Sequence, residues 1–208
     1  MKFVSTVLRV LSVIVTMASV TSALASSAGP PTSADMVVRL ATERDLPAIS
    51  DIYNYYVKTS TATFQTEAET VSDRQKWFED HDPDVHPVVV CCSSDDDGKI
   101  VGWASLSSWN KRQAYDRTTE VSVYVHKDHH RKGIGKSLMV FMVEKARQLG
   151  YHVLLGVACT ESVGSVKLQE QLGFERVGCF RQVGYKFDRW LDVAYYQLFL
   201  NKEAEVSK

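Results

Sequence analysis

The chain has 208 residues, 45% of them hydrophobic and 24% charged, with a formal net charge of −1. That length and mixture suit one globular domain of ordinary size. The near-zero charge gives no electrostatic footprint for nucleic acid or an anionic membrane surface, and no repeat or heptad period is present.

Residues 1–25 differ in character from the rest of the chain. Met1-Lys2 supplies a positive end, Val7 to Val20 is largely apolar, and Ala23-Leu24-Ala25 is a small-x-small cleavage pattern, so the stretch reads as a secretory signal peptide. Its rivals are an organelle presequence, since no acidic residue precedes Asp35, and a cytoplasmic protein with no export at all. Residues 26–36, SSAGPPTSADM, read as a polar linker, the domain as 37–202, and 203–208 as a tail.

Val37 to Leu40 is a short strand. Thr42 to Asp45 fits a capping box, and the helix after it gathers Leu46, Ile49, Ile52, Tyr53, Tyr56 and Val57 on one apolar face. A loop, STATFQTE, leads to a second helix, expected over Val71 to His81. Strands follow at Val88 to Cys92 and Ile100 to Trp109, joined by the solvated turn SSDDDGK. Val121, Val123 and Val125 alternate with Ser122, Tyr124 and His126, the period-two signature of another strand. It feeds a helix reaching Leu149 through Arg131-Lys132-Gly133-Ile134-Gly135. The remainder reads as strand Val153 to Cys159, helix Ser165 to Leu172 closed by Gly173, and strands Arg176 to Tyr185 and Trp190 to Leu200. The order predicts an α/β domain: one mixed sheet with helices on both faces.

The strand-to-helix junction carries the chemistry. The first N–H groups of a helix have no partner within it and the macrodipole makes them positive, so an anion binds there. Gly133 and Gly135 let a phosphate come close, and Arg131, Lys132 and Lys136 add charge. A glycine pair at such a junction is also an ordinary tight turn. Neither GxxxxGK[ST] nor GxGxxG is present, which sets aside nucleoside triphosphates and dinucleotides.

The segment VYVHKDHHRKGIGKSLM resembles the acyl-CoA binding segment of the GCN5-related N-acetyltransferases (GNAT), a strand followed by Gln/Arg-x-x-Gly-x-Gly/Ala, with His130 where the family has Gln or Arg. Three further stretches, IYNYYVKTSTATFQTE, SVKLQEQLGFERVGCF and VGYKFDRWLDVAYYQLFL, extend the likeness over the whole domain and narrow it to the branch acting on phosphinothricin, methionine sulfone and methionine sulfoximine. The resemblance implies the GNAT fold, with two central parallel strands that splay apart. It implies acetyl-CoA as co-substrate without a metal, a small-molecule amine as acceptor, a homodimer, and no nucleic-acid or stable membrane partner.

It also implies roles. The main chain of Val123, Tyr124 and Val125 would hold pantetheine, and residues 131 to 136 the pyrophosphate. Ser162 stands where the family has an Asn that contacts pantetheine. Glu120, at the family's acidic position, would relieve the acceptor ammonium of its proton; an isolated strand-end Glu is otherwise a surface residue. Gln169 replaces the family's Tyr or His acid, and coenzyme A must then leave as a thiolate. Phe64 with Gln65, Gln113, Ala114 and Tyr115, and Lys186, Trp190 and Asp192 fall where the branch builds its amino-acid pocket, with Arg112 or Lys186 available to an α-carboxylate. Phe64 also reads as core, and Trp190 is read as core. The rival readings are acetylation of a polyamine or peptide amine, and a non-catalytic CoA-binding or secreted interaction module. The six histidines make no closed zinc set. Cys91 and Cys92 point to opposite strand faces, while Cys159 and Cys179 read as core thiols, which fits a reduced fold rather than export.

Overall fold

The computed structural model describes residues 36–94 and 97–200; the expected leader, the linker before Met36, two of the three aspartates of the SSDDDGK turn and the tail lie outside them. Seven strands form one sheet in the order β1-β2-β3-β4-β5-β7-β6. They are β1 (Met36–Leu40), β2 (Val88–Ser93), β3 (Ile100–Ser108), β4 (Thr118–Val125), β5 (Val153–Cys159), β6 (Glu175–Lys186) and β7 (Arg189–Phe199). Only β4 and β5 pair in parallel. The helices are α1 (Leu46–Thr59), α2 (Val71–Glu79), α3 (Ile134–Gln148) and α4 (Val163–Gln171).

The expected elements all form, with small shifts at their ends. Met36, assigned to the linker, opens β1, where it pairs with Ser93. The second helix stops at Glu79 rather than His81. Beyond Asp80 the His81 ring turns back, its Nδ1 lying 2.6 Å from the Trp77 carbonyl oxygen. The expected Thr42–Asp45 box opens a 3-10 turn, Glu43–Asp45, that leads into α1, with Asp45 Oδ2 accepting from the Thr42 N–H at 2.7 Å. A second box, not singled out in the sequence, opens α2, where Asp73 Oδ2 accepts from the Thr70 N–H at 2.9 Å.

Strand alternation sends side chains to two cores. On one face α3 lays Ile134, Leu138, Met139 and Met142 against Val89, Ala104, Leu106, Val121 and Leu154. On the other, α1 lays Leu46, Ile49 and Ile52 against Val88, Val90 and Trp103, with Tyr53, Trp77 and Tyr124 at the margin. Each fully buried aliphatic side chain contributes about 1.5–3 kcal/mol. Gly102 lies under α3 with no room for a side chain: a Cβ there would sit 3.1 Å from the Ile134 and Leu138 side chains.

A buried cation anchors α2. Arg74 is 1% exposed, with its guanidinium 4.4 Å from the Tyr53 ring centroid, 4.5 Å from Trp77 and 2.5 Å from a Glu69 carboxylate oxygen. Burial pushes the Glu69 carboxyl up and the Arg74 guanidinium down.

Two residues read as core are not core. Trp190 is 61% exposed at the β6–β7 hairpin and packs on Tyr185 with ring centroids 4.9 Å apart. Cys179 is only partly covered, unlike Cys159, because β6 is an edge strand most of whose residues face solvent. No helix among the described residues is long and apolar enough to cross a membrane.

Candidate active site

The parallel pair is short. Thr118 to Val121 match Val153 to Gly156 in register; beyond Val121 the two strands part, although β4 runs on to Val125 and β5 to Cys159. The gap opens into a cleft of about 610 Å³, lined by Val121 to Val125 on one wall and Val157 to Cys159 on the other. The turn before α3 and the start of α4 close its ends.

Strand geometry decides which main-chain groups face the gap. N–H groups along a strand alternate in direction. The His126 N–H donates to the Val101 carbonyl of β3 at 2.8 Å, so the amides of Ser122 and Tyr124 face β3 as well, and those of Val123 and Val125 face the gap. Of the three residues expected to hold pantetheine, Tyr124 therefore presents its side chain to the cleft while its main chain is turned to β3. The Val125 carbonyl is already engaged. Tyr56 Oη donates to it at 2.5 Å and lies 2.6 Å from His130 Nε2, which itself lies 3.3 Å from the same carbonyl. This arrangement makes Nε2–H the donor to Tyr56. Burial pushes the Tyr56 hydroxyl up to about 12, so it stays protonated. His130 thus braces the end of β4 against α1.

The glycine turn is open. Gly133 has φ +82°, and a Cβ built on it would meet nothing within 4 Å. The first bond of α3 runs from the Ser137 N–H to the Gly133 carbonyl at 2.9 Å, leaving the N–H groups of Ile134, Gly135 and Lys136 ahead of the helical ladder. Arg131, itself at φ +59°, lines the cleft with Gly133, Ile134, Gly135 and Lys136; Lys132 does not. Lys167 of α4 adds a cation from the far side, and no described carboxylate pairs with Arg131, Lys136 or Lys167. A polyanion with a narrow tail fits this end of the cleft: the amides meet it at the helix start and the three cations surround it.

At the other wall Ser162 sits at the N-cap of α4, its N–H donating to the Cys159 carbonyl at 2.9 Å. Gln169, 2% exposed, overlies Gly156 so closely that a Cβ there would fall 2.0 Å from Oε1. Its Nε2 donates to Ser165 Oγ at 3.3 Å, and Oε1 has no partner among the described residues.

Glu120 stands one residue before the strands part, opposite Leu155 of β5 and Ser107 of β3. Its parity with Tyr124 puts its side chain on the α1–α2 face. Burial raises its pKa from the ordinary carboxylate value. A partly dehydrated carboxylate at the vertex of the gap is a competent base toward an ammonium approaching from that face.

The residues expected around an acceptor do not gather in one place. Lys186, 4% exposed, gives its ammonium to main-chain carbonyls, at 2.8 Å from Ser60, 2.8 Å from Thr63 and 3.5 Å from Tyr56. That set ties the end of α1 to the loop carrying Phe64. Phe64 itself is 37% exposed and lies against Gly184 of β6, where a Cβ would meet its ring at 2.6 Å. Gln113, Ala114 and Tyr115 form a 3-10 turn outside the cleft lining, with Tyr115 packed edge-on to Trp109 at 4.8 Å. Asp192 accepts from the Gln182 N–H at 2.8 Å and holds a bulge in β6. The sequence reading took Tyr56 for helix face alone and passed over Lys167. Two tyrosines, Tyr53 and Tyr56, on an otherwise aliphatic face were the available signal for the first.

Comparison with known proteins bears on this geometry. The model of the acetyltransferase (GNAT) domain family matches residues 38–194. An L-amino acid N-acyltransferase, MnaT, of Escherichia coli is 35% identical over 82% of this chain and 97% of its own length. An L-methionine sulfoximine/L-methionine sulfone acetyltransferase of Pseudomonas aeruginosa is 37% identical over 79% of this chain and 94% of its own. Among solved structures, a phosphinothricin acetyltransferase of Sinorhizobium meliloti in complex with AcCoA superposes with a TM-score of 0.78 at 30% identity, over 84% of this chain and 92% of that one. With a matched domain model, relatives of this identity and coverage, and the parted β4–β5 pair leading into an open glycine turn, the chain belongs to the GNAT acetyltransferase family.

Proposed function

We propose that the protein transfers an acetyl group from acetyl-CoA to the α-amine of a small amino acid or analogue of the methionine sulfone, methionine sulfoximine or phosphinothricin type. The observation that carries this reading is the gap between β4 and β5 running straight into the unbonded amides of Ile134, Gly135 and Lys136. Acetyl-CoA is the donor that fits: pyrophosphate on those amides and on Arg131 and Lys136, pantetheine beside Val123, and the thioester at the vertex by Val121, next in the chain to Glu120, which itself lies outside the cleft lining. Relatives named for amino-acid acceptors support that class of amine.

Each residue then has a role. Val123 orients the donor through main-chain bonds. Glu120 takes one proton from the acceptor ammonium, which frees the nitrogen lone pair to attack. The carbonyl oxygen meets the Val123 N–H as it gains charge. Gln169 has no proton to give at a useful pKa, so coenzyme A leaves as a thiolate and collects the amine's second proton afterwards. Phe64 forms an aromatic wall on the acceptor side, and Lys186 positions it. Acetyl-CoA-dependent thiol release across a panel of amino acids, sulfoximines and polyamines tests this: turnover restricted to α-amino acids is expected, and silence with every amine overturns it.

The partner surface and the leader belong to the same reading. β6 bonds only β7, and Val177, Phe180, Val183 and Tyr185 are each more than half exposed along it. That edge is the proposed homodimer contact, and light scattering that gives a monomer at micromolar concentration removes it. Residues 1–25 keep the secretory reading; a reporter fused after residue 35 that stays in the cytosol overturns it.

A further inference from the structure

The α1–α2 face of β3 and β4 carries a ladder of cross-strand pairs: Trp103 with Tyr124, Ser105 with Ser122, and Ser107 with Glu120. Directly opposite side chains on one face stand about 5 Å apart. The third rung therefore sets a hydroxyl beside the carboxylate that the mechanism uses. Behind that hydroxyl is a second titratable group. His81 Nε2 lies 3.1 Å from Ser107 Oγ, and its Nδ1 lies 2.6 Å from the Trp77 carbonyl oxygen. A carbonyl oxygen can only accept, so Nδ1 carries the proton and Nε2 is left as an acceptor. The Ser107 hydroxyl must then donate to His81. Its lone pairs are free to turn toward Glu120.

From this polarity we infer that His81, acting through Ser107, takes over the proton that Glu120 removes from the acceptor. The inference rests on the reading of Glu120 as base. The acceptor ammonium gives one proton to Glu120, its nitrogen bonds the acetyl carbon, and the C–S bond breaks with its electron pair on sulfur. Glu120 passes its proton to Ser107 Oγ while the Ser107 proton moves to His81 Nε2. Carboxylate and hydroxyl are restored, and the half-buried imidazolium loses its proton to solvent.

The surroundings favour this transfer. Burial lowers the imidazole's pKa and raises the carboxyl's, which narrows the gap between two ordinarily separate values and so reduces the cost of moving the proton between them. The charged and titratable neighbours of His81 are Arg74 from α2 and Asp80 and His86 from the chain beside it; Glu120 has Tyr124 on its own strand. The Trp77 ring, 4.3 Å from the imidazole centroid, fixes the ring plane.

Single-turnover acetyl transfer by the full chain, at saturating acetyl-CoA and methionine sulfone across pH, tests the relay in four variants. S107A removes the hydroxyl, S107T restores it, H81Q keeps an acceptor at the Nε2 position that cannot gain a proton, and E120Q removes the base. The expected result is about tenfold slower transfer in S107A and H81Q, recovery in S107T, and an acid limb that is less steep because one ionisation has gone. Slowing without a change in the acid limb means a structural role and overturns the proposal. An E120Q protein as fast as wild type overturns the base reading and the relay with it. A slow E120Q beside undisturbed S107A and H81Q overturns the relay alone.

Discussion

Glu120 concentrates the account at the scale of one side chain. Replacement by Gln keeps its shape and removes its basicity. Turnover should fall about 10²-fold or more with the acetyl-CoA KM unchanged, measured by steady-state thiol release. The same substitution should raise stability near neutral pH. A carboxyl whose folded-state pKa is raised is costly to hold ionised, and that cost is present above the folded pKa and fades as pH falls through it toward the ordinary carboxylate value. The Tm gain of E120Q should therefore shrink on acidification; a gain independent of pH contradicts the burial argument. Asp45 has the opposite sign. The Arg39 guanidinium at 2.7 Å lowers its pKa, so its contribution is present above the ordinary value and is lost as pH falls through the lowered one.

Lys186 illustrates a role that only three dimensions supply. Its three carbonyl partners belong to residues 123 to 130 positions earlier in the chain. K186M leaves buried acceptors without a donor and should cost about 1–3 kcal/mol in denaturant unfolding. The acceptor KM should rise with it, because the Phe64 loop loses its tether, while the acetyl-CoA KM stays in place. An unchanged acceptor KM contradicts the positioning role.

Among the elements, the strand-to-helix junction was legible because period-two valines, two glycines and a helical apolar stripe follow one another without a break. Seven strands and four helices were readable for the same reason. What escaped was pairing at a distance. His81 meets Ser107 across 26 positions and Tyr56 meets His130 across 74, and no local period announces either. Cys179 misled because an apolar residue on an edge strand need not be covered, and Trp190 because it sits at the β6–β7 hairpin, beyond the helices that cover the sheet. Gln113 to Tyr115 lie away from the cleft lining, where Tyr115 packs edge-on against Trp109. The glycines of the site separate by the same logic. G133A meets no neighbour but forces an L residue into left-handed backbone, a cost of about 1–2 kcal/mol. G156A drives a methyl into the Gln169 amide and should cost about 1–3 kcal/mol through overpacking, with the cleft wall displaced. Chemical denaturation ranks the two, and a neutral G156A contradicts the packing seen there.

For the whole molecule, the proposed reading puts donor and acceptor on opposite sides of one opening. In it α3 and α4 flank the cofactor end, and α1 and α2, with Arg74 buried beneath them, flank the acceptor end. Every assigned role depends on acetyl-CoA entering the gap between β4 and β5. Isothermal titration of acetyl-CoA into the full chain examines that most directly. Saturable binding of one donor per chain is predicted, weakened at least tenfold when Gly135 is replaced by a bulky residue that shields the helix-start amides. Absence of any heat of binding, or affinity untouched by that replacement, would contradict it.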